Sequence, residues 1–152
     1  MTIPTPAGPF HPSSRSPATL VAVTVGGALG TLARYALDLA LPVAPGHFPT
    51  ATLMINLSGS LLIGLLLPFA LARSAPHPLF RPFLVTGILG GWTTYSALAA
   101  DTATLLKAGH LGLALIDVGS TVVGGLVLVA CGFYASLAHT AVRYRRSDGR
   151  GN

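Results

Sequence analysis

The stretch Gly87-Ile88-Leu89-Gly90-Gly91-Trp92-Thr93-Thr94-Tyr95-Ser96 decides the fold, because it interrupts an apolar segment of membrane-spanning length. Adjacent glycines followed by hydroxyl residues weaken a helix there. Hydrocarbon offers peptide groups no hydrogen-bond partner, so such a break survives at membrane depth only if it is buried in protein or lines a polar cavity. The carbonyls and amides at the ends of an interrupted helix are ligands for small ions. The stretch therefore predicts ion binding inside a membrane.

Composition places the rest of the chain in a membrane as well. Of the 152 residues, 51% are hydrophobic and only 9% are charged, whereas soluble domains carry about 25% charged residues. Four apolar segments, each near the roughly 20 residues that cross a bilayer, lie at about residues 18–41, 50–72, 83–106 and 111–138. Because the connections are short, we expect neighbouring helices to pack antiparallel in one all-α domain with a broken third helix.

The predicted transmembrane domain occupies residues 18–139. Residues 1–17 are rich in proline and lack periodicity, so they are predicted to form a disordered tail. Residues 140–152 are predicted to form a basic C-terminal tail.

The basic residues favour one side of the membrane. The formal net charge is +5, but these residues flank apolar segments instead of forming one soluble face, which argues against nucleic-acid binding. Seven of them precede the first segment, separate the second from the third, or follow the fourth: Arg15, Arg73, Arg81, Arg143, Arg145, Arg146 and Arg150. Lys107 is the one basic residue in the remaining loops. This bias predicts that both termini are cytoplasmic.

Each polar residue inside the segments has more than one interpretation. Asn56 is either an interhelical hydrogen-bond partner or a donor of its amide hydrogens to a passing anion. Arg34 either reaches the headgroups or concentrates anions at a vestibule by its field. Asp101 is expected to be solvated or paired with an arginine. An ionised Asp117 would repel an anion, so it must be protonated, paired or placed at the pathway's mouth.

Enzymatic chemistry has little basis in this sequence. It contains no glutamate, no phosphate-binding Gly-Lys-Ser/Thr loop and no His-Glu-x-x-His or Gly-x-Ser-x-Gly motif. Small-xxx-small spacings instead predict close helix packing and an oligomer; they are Gly26/Gly30, Ser60/Gly64, Gly87/Gly91 and Ser120/Gly124.

Three motifs resemble those of the CrcB/Fluc fluoride channels, small four-span membrane proteins that assemble as antiparallel dimers. They are Gly26-Gly27-Ala28-Leu29-Gly30-Thr31-Leu32-Ala33-Arg34-Tyr35, Ala51-Thr52-Leu53-Met54-Ile55-Asn56-Leu57-Ser58-Gly59-Ser60 and Thr86-Gly87-Ile88-Leu89-Gly90-Gly91-Trp92-Thr93-Thr94-Tyr95-Ser96. With the hydropathy pattern, the resemblance covers about residues 20–138. It implies a channel that exports fluoride across the plasma membrane and relieves fluoride toxicity.

The resemblance also implies site residues. The carbonyls of Gly90 and Thr93 would hold a structural Na⁺ at the centre of the dimer. The residues expected along the ion pathway are Asn56, Tyr95, Ser96, Thr121 and Arg34.

Three positions depart from the family pattern. Tyr95 and Leu98 stand where phenylalanines are usual, and Asp117 stands where a tyrosine is usual. An aromatic ring can meet an anion with its electropositive edge, which leucine lacks. The seven-to-one charge bias also disfavours insertion in both orientations. We therefore hypothesise that the partner is a second CrcB-like subunit in a heterodimer, although a homodimer stays open.

Two alternatives remain at this stage. The chain could be a non-conducting or partner-dependent subunit of such a channel. It could also be a proton-coupled transporter of the small multidrug type, but that class needs a buried carboxylate in the first span, and only Asp38 is available near its end.

Overall fold

A computed structural model describes residues 16–71 and 78–148, and within these ranges it is helical with no β-strand. The helices are α1 (Pro17–Ala40), α2 (Thr50–Leu71), α3, α4 (Tyr95–Lys107) and α5 (Leu111–Asp148). Here α3 denotes the π-helical stretch Arg81–Leu89 together with the α-helical turn Gly90–Trp92. Four spans, Pro17–Ala40, Thr50–Phe69, Arg81–Lys107 and Leu111–Thr140, are long and apolar enough to cross a membrane.

The helix ends follow from local sequence. Ser16 caps α1 by accepting a hydrogen bond from the Thr19 amide at 3.2 Å, and Pro17 occupies the first turn, where its missing N–H costs nothing. Gly109 has a φ of +79° in the turn between α4 and α5, a conformation that glycine adopts without strain.

The observed bounds agree with the predicted segments except at the C-terminus. There α5 continues beyond residue 138 to Asp148, into the range predicted as a basic tail. The predictions for residues 1–15, Arg73 and Arg150 fall outside the described residues.

The closest helix partner of α1 is α3, and the two run parallel. A Cβ atom on Gly26 would collide with the carbonyl oxygen of Phe83, and one on Gly30 with that of Ile88. A Cβ atom on Gly91 would likewise collide with the carbonyl oxygen of Gly27. The backbones therefore touch, as small-xxx-small spacing permits.

A second parallel pair is formed by α2 and α5. A Cβ atom on Gly64 would collide with the carbonyl oxygen of Val129, and one on Gly132 would lie 2.6 Å from that of Leu61. Near the other end of the contact, a Cβ atom on Gly125 would lie 3.1 Å from Ser60 Oγ. The sequence predicts antiparallel packing of neighbouring helices, and α4 and α5 do pack in this way. The tightest pairs, however, come from alternate spans, because their glycines lie on facing surfaces.

Little of the apolar surface is buried within the chain. The apolar windows of the four spans are only 17–28% buried. Large side chains such as Leu126 (69% exposed) and Val123 (62%) lie on the surface of α5. An apolar exterior of this extent requires lipid or another protein to cover it.

Candidate functional site

The third span is interrupted at two residues. The α-helical turn ends at Trp92, and Thr93 (φ −73°, ψ 152°) and Thr94 (φ −147°, ψ 122°) are both extended. A new helix then begins at Tyr95, capped by the Thr94 hydroxyl, which accepts from the Ala97 amide at 3.1 Å. The π-helical bonding just before the break is itself a feature that recurs at functional sites.

Asn56 of α2 satisfies the peptide groups that this interruption exposes. Its Nδ2 donates to the Thr94 carbonyl at 3.0 Å, and its Oδ1 accepts from the Thr94 amide at 2.9 Å. Both residues are buried, Asn56 at 8% exposure and Thr94 at 9%. The side-chain amide thus pairs with one residue in the way that a neighbouring β-strand would. Of the two readings of Asn56, the interhelical bond is the one seen, and one N–H of Nδ2 is left over.

Two neighbouring carbonyls near the break, those of Gly90 and Gly91, differ in their hydrogen-bond donors. In an unbroken helix the Thr94 amide would bond to the carbonyl of Gly90, but here it bonds to Asn56, so the Gly90 oxygen loses its helical donor. The Gly91 carbonyl instead accepts from Arg34 Nε at 3.3 Å and from the Thr31 hydroxyl at 3.5 Å. Arg34 is therefore attached to the end of the first half-helix.

A neighbouring contact fixes the last residue of α3. The indole Nε1 of Trp92 donates to Ser58 Oγ at 3.0 Å, and Ser58 Oγ in turn donates to the Ile55 carbonyl at 3.1 Å. Next to it, a Cβ atom on Gly59 would lie 3.1 Å from the Trp92 ring and would collide with the Thr93 side chain. The surface of α2 therefore packs closely against the interruption.

A groove of about 360 Å³ opens beside the break. Its walls come from α2, the interruption, α4 and α5, and they are formed by Asn56, Ser60, Ile63, Thr93, Thr94, Tyr95, Leu98, Thr121 and Val122. Hydroxyl and amide groups therefore share one concave surface with apolar side chains, which is the usual character of a ligand-binding site.

The structure brings most of the predicted pathway residues to this groove. Tyr95 is 83% exposed, and Leu98 is 7% exposed. Thr121 Oγ1 is buried and has no hydrogen-bond partner. Ser96 does not line the groove: it is exposed, and its hydroxyl lies 3.1 Å from Thr94 Oγ1.

Two acidic side chains lie near the end of the bundle formed by the α4–α5 turn. Asp101 Oδ2 accepts a hydrogen bond from the Thr52 hydroxyl at 2.6 Å. The sequence predicts solvent or an arginine as the partner of Asp101, whereas the partner in the structure is this hydroxyl. Asp117 is 0% exposed, and neither of its carboxylate oxygens has a hydrogen-bond partner. The pairing considered for Asp117 is thus not made within the described part of the chain.

Sequence reasoning did not single out Thr94 and Thr52. Thr94 has two roles at the interruption: its hydroxyl caps α4, and its carbonyl accepts a hydrogen bond from Asn56. Its sequence signal was a Thr followed by a renewed apolar helix, which is the pattern of an N-cap. Thr52 had no comparable signal, because its partner Asp101 is 49 positions away.

The described residues hold no cluster of three or more His, Cys, Asp and Glu side chains suited to a metal ion. A cation at the interruption would therefore depend on main-chain and hydroxyl oxygens. The fold and this site together define a multi-pass membrane protein built around an interrupted helix, with a mainly apolar groove beside it that carries a few hydroxyl and amide groups.

Comparison with known proteins gives the family. The family model described as "CrcB-like protein, Camphor Resistance (CrcB)" matches residues 21–133. The chain belongs to this family.

Similar curated proteins carry one functional name. Fluoride-specific ion channel FluC 2 of Thermobifida fusca is 40% identical over 130 residues, covering 84% of this chain and 96% of that protein. Fluoride-specific ion channel FluC of Chlorobium luteolum is 41% identical over 125 residues (82% and 96%). The protein of the same name from Paracoccus denitrificans is 45% identical over 115 residues (75% and 90%). The family is thus one of ion channels and not of enzymes, in agreement with the sequence prediction.

Proposed function

We propose that this chain is a subunit of a fluoride-selective channel that exports fluoride from the cytoplasm across the plasma membrane, with both termini on the cytoplasmic side. Membership of the CrcB family and the names of its relatives support the substrate. The observation that carries the proposal is the pairing of Asn56 with Thr94, because it takes the Thr94 amide away from the Gly90 carbonyl beside a groove that contains hydroxyl and amide groups. The proton-coupled multidrug alternative finds no support in this family.

Fluoride requires donors that replace its water, and the groove offers several. Asn56 uses only one of its two Nδ2 hydrogens on Thr94, so the other is available to an anion. The Thr121 hydroxyl has no hydrogen-bond partner, and the exposed Tyr95 ring adds an electropositive edge and a hydroxyl. A narrow row of such donors is the general basis of ion selectivity. Ser96 lies outside the groove, and we propose its hydroxyl as a further donor elsewhere along the pathway.

A structural Na⁺ fits the oxygens at the break. Gly90 has lost its helical donor to Asn56, and the carbonyl of the extended Thr93 comes from the same interruption. Sodium binds hard oxygen donors, and a cation there would offset the repulsion between carbonyls at the end of a helix. In this proposal two copies of the interruption supply the oxygens, one from each subunit of an antiparallel dimer.

Transport in this proposal is passive. Hydrogen fluoride enters cells as a neutral molecule and leaves its anion behind when it dissociates at cytoplasmic pH. The membrane potential drives an anion outward with about 2.3 kcal/mol per charge per 100 mV. Arg34, attached to the Gly91 carbonyl, adds positive charge near the interruption.

A second candidate is a subunit that conducts only together with a different CrcB-like partner. Leu98 is 7% exposed and has no ring, so this chain offers one aromatic edge, that of Tyr95, where the family offers two. The seven-to-one distribution of basic residues also favours one orientation in the membrane. A partner with the opposite bias would complete an antiparallel heterodimer.

Fluoride efflux from liposomes tests both candidates. The purified chain is reconstituted alone, and fluoride release is followed with an electrode after a potential is imposed with valinomycin. Flux from the chain alone, with no chloride flux, supports the homodimeric channel. Flux that needs a co-expressed second homologue, and co-purification of that homologue by a separate tag, supports the heterodimer. Absence of flux in both preparations would refute the channel.

A further inference from the structure

Three buried oxygen atoms on one face of α5 have no hydrogen-bond partner among the residues that the structure describes. They are both carboxylate oxygens of Asp117 and Oγ1 of Thr121. The two residues are four positions apart, so their side chains lie one above the other on the helix. Asp117 is 0% exposed, and a carboxylate taken out of water without a partner costs several kcal/mol. This cost is avoided if the carboxylate takes up a proton or if a cation binds to it.

A second carboxylate lies at the same height in the bundle. Asp101 is six residues before the end of α4 at Lys107, and Asp117 is six residues after the start of α5 at Leu111. The two helices form an antiparallel hairpin, so at 1.5 Å per residue both carboxylates lie about 9 Å from the turn. Because α4 packs against α5, the two carboxylates lie on a pair of helices in contact.

A third helix, α2, contacts Asp101; it runs parallel to α5. Thr52 donates its hydroxyl to one of the two carboxylate oxygens of Asp101, Oδ2, at 2.6 Å. A cavity of about 150 Å³ lies beside Asp101. It is lined by Thr52, Asp101 and Asp38, which is a further carboxylate near the end of α1. Thr121, about one helical turn after Asp117 on α5, lines the groove beside the interruption.

These positions supply negative charge and oxygen acceptors but no positive group. The described residues that line the cavity beside Asp101 include no lysine, arginine or histidine. We propose that a small monovalent metal cation, of the class of Na⁺, binds between Asp117 and Asp101, with Thr121 Oγ1 as a further oxygen ligand. Hard alkali cations prefer carboxylate and hydroxyl oxygens.

This site is separate from the interruption, because it uses side chains of α4 and α5 and none of the carbonyls of Gly90 or Thr93. It does not depend on fluoride transport. Its consequence for an anion pathway is electrostatic: the bound cation offsets carboxylate charge immediately beside the groove that Thr121 lines.

Thermal unfolding of the full-length protein in detergent tests the site. The Tm is measured from sodium-free buffer to saturating NaCl, with N-methylglucamine chloride keeping the ionic strength constant. A ligand at about 100 times its Kd is expected to raise the Tm of a chain of this size by roughly 5–11 °C. Asp117→Asn removes the charge but keeps the shape, and we expect it to lose most of this rise.

Ser136→Ala is the matched control. Ser136 is also buried (4% exposed), and its hydroxyl also has no hydrogen-bond partner, but it lies far along α5 from Asp117. This variant should keep the full response to sodium, whatever its Tm in sodium-free buffer. A response retained in full by Asp117→Asn would overturn the proposal and point to the interruption instead. No response in the natural sequence would overturn it as well.

A structural readout separates the two cation sites. Crystals grown with Tl⁺, an electron-rich monovalent cation, are expected to show an anomalous peak between Asp117 and Asp101, and Asp117→Asn should abolish that peak alone. A peak only at Gly90 and Thr93 would refute the acidic site and support the sodium of the proposed channel. A basic side chain of a partner subunit on Asp117 would also refute it.

Discussion

The substitution Asn56→Leu tests the reasoning on which the site depends, since it keeps the size of the side chain and removes both hydrogen bonds to Thr94. The Thr94 amide and carbonyl would then be buried without partners, at a cost of about 1–3 kcal/mol each. The sum is about 2–6 kcal/mol. At about 2–4 °C per kcal/mol for a chain of this length, the Tm should fall by at least about 4 °C.

The assay is thermal unfolding in detergent, together with fluoride efflux from liposomes for any variant that remains folded. Asn56→Asp separates the two bonds, because a carboxylate still accepts from the Thr94 amide but cannot donate to its carbonyl. We expect it to be intermediate in stability and to conduct poorly, since it places negative charge at the groove.

Ser58→Ala serves as the control on the same face of the same helix. It removes a hydroxyl that contacts Trp92 but leaves the extended residues paired. If Asn56→Leu were as stable as this control, the peptide groups of the interruption would have to be satisfied in another way, and our account of the break would be wrong.

Three further predictions concern helix packing, helix capping and the acidic end of the bundle. Gly30→Ala places a methyl group against the Ile88 carbonyl and should cost about 1–3 kcal/mol, whereas Gly112→Ala meets nothing within 4 Å and should be neutral or stabilising in thermal unfolding. Thr94→Ala removes the cap of α4 and should cost about 0.5–2 kcal/mol, while Thr94→Ser should retain it. Thr52→Val removes a hydrogen bond to a carboxylate, worth about 1.5–3 kcal/mol, and Thr52→Ser should behave like the natural chain in urea or thermal unfolding.

Much of the architecture could be read from local patterns. Low charge and four long apolar runs required membrane helices, because only closed internal hydrogen bonding is tolerated in hydrocarbon. The adjacent Gly90 and Gly91 marked where the third span would weaken. The starts of α1 at Pro17 and of α4 at Tyr95 also have local causes, a proline and two cap residues, whose effects extend over one helical turn.

The identity of helix partners could not be read in this way. Small residues on every span showed that backbones would approach closely, but any glycine face can receive any other. The parallel pairing of α1 with α3 and of α2 with α5 depends on which faces coincide in space. Likewise, the extension of α5 to Asp148 goes past the apolar pattern that defined the fourth segment.

By itself, the sequence determined a four-helix membrane protein with a weak point near Gly90, because hydropathy and glycine content act within one segment. Only the tertiary structure decided that Asn56 pairs with Thr94 across 38 positions, that Arg34 holds the Gly91 carbonyl, and that Asp117 lies buried without a partner. The physical reason is that a polar group inside an apolar bundle must find its partner in space, and that partner is set by how the helices pack.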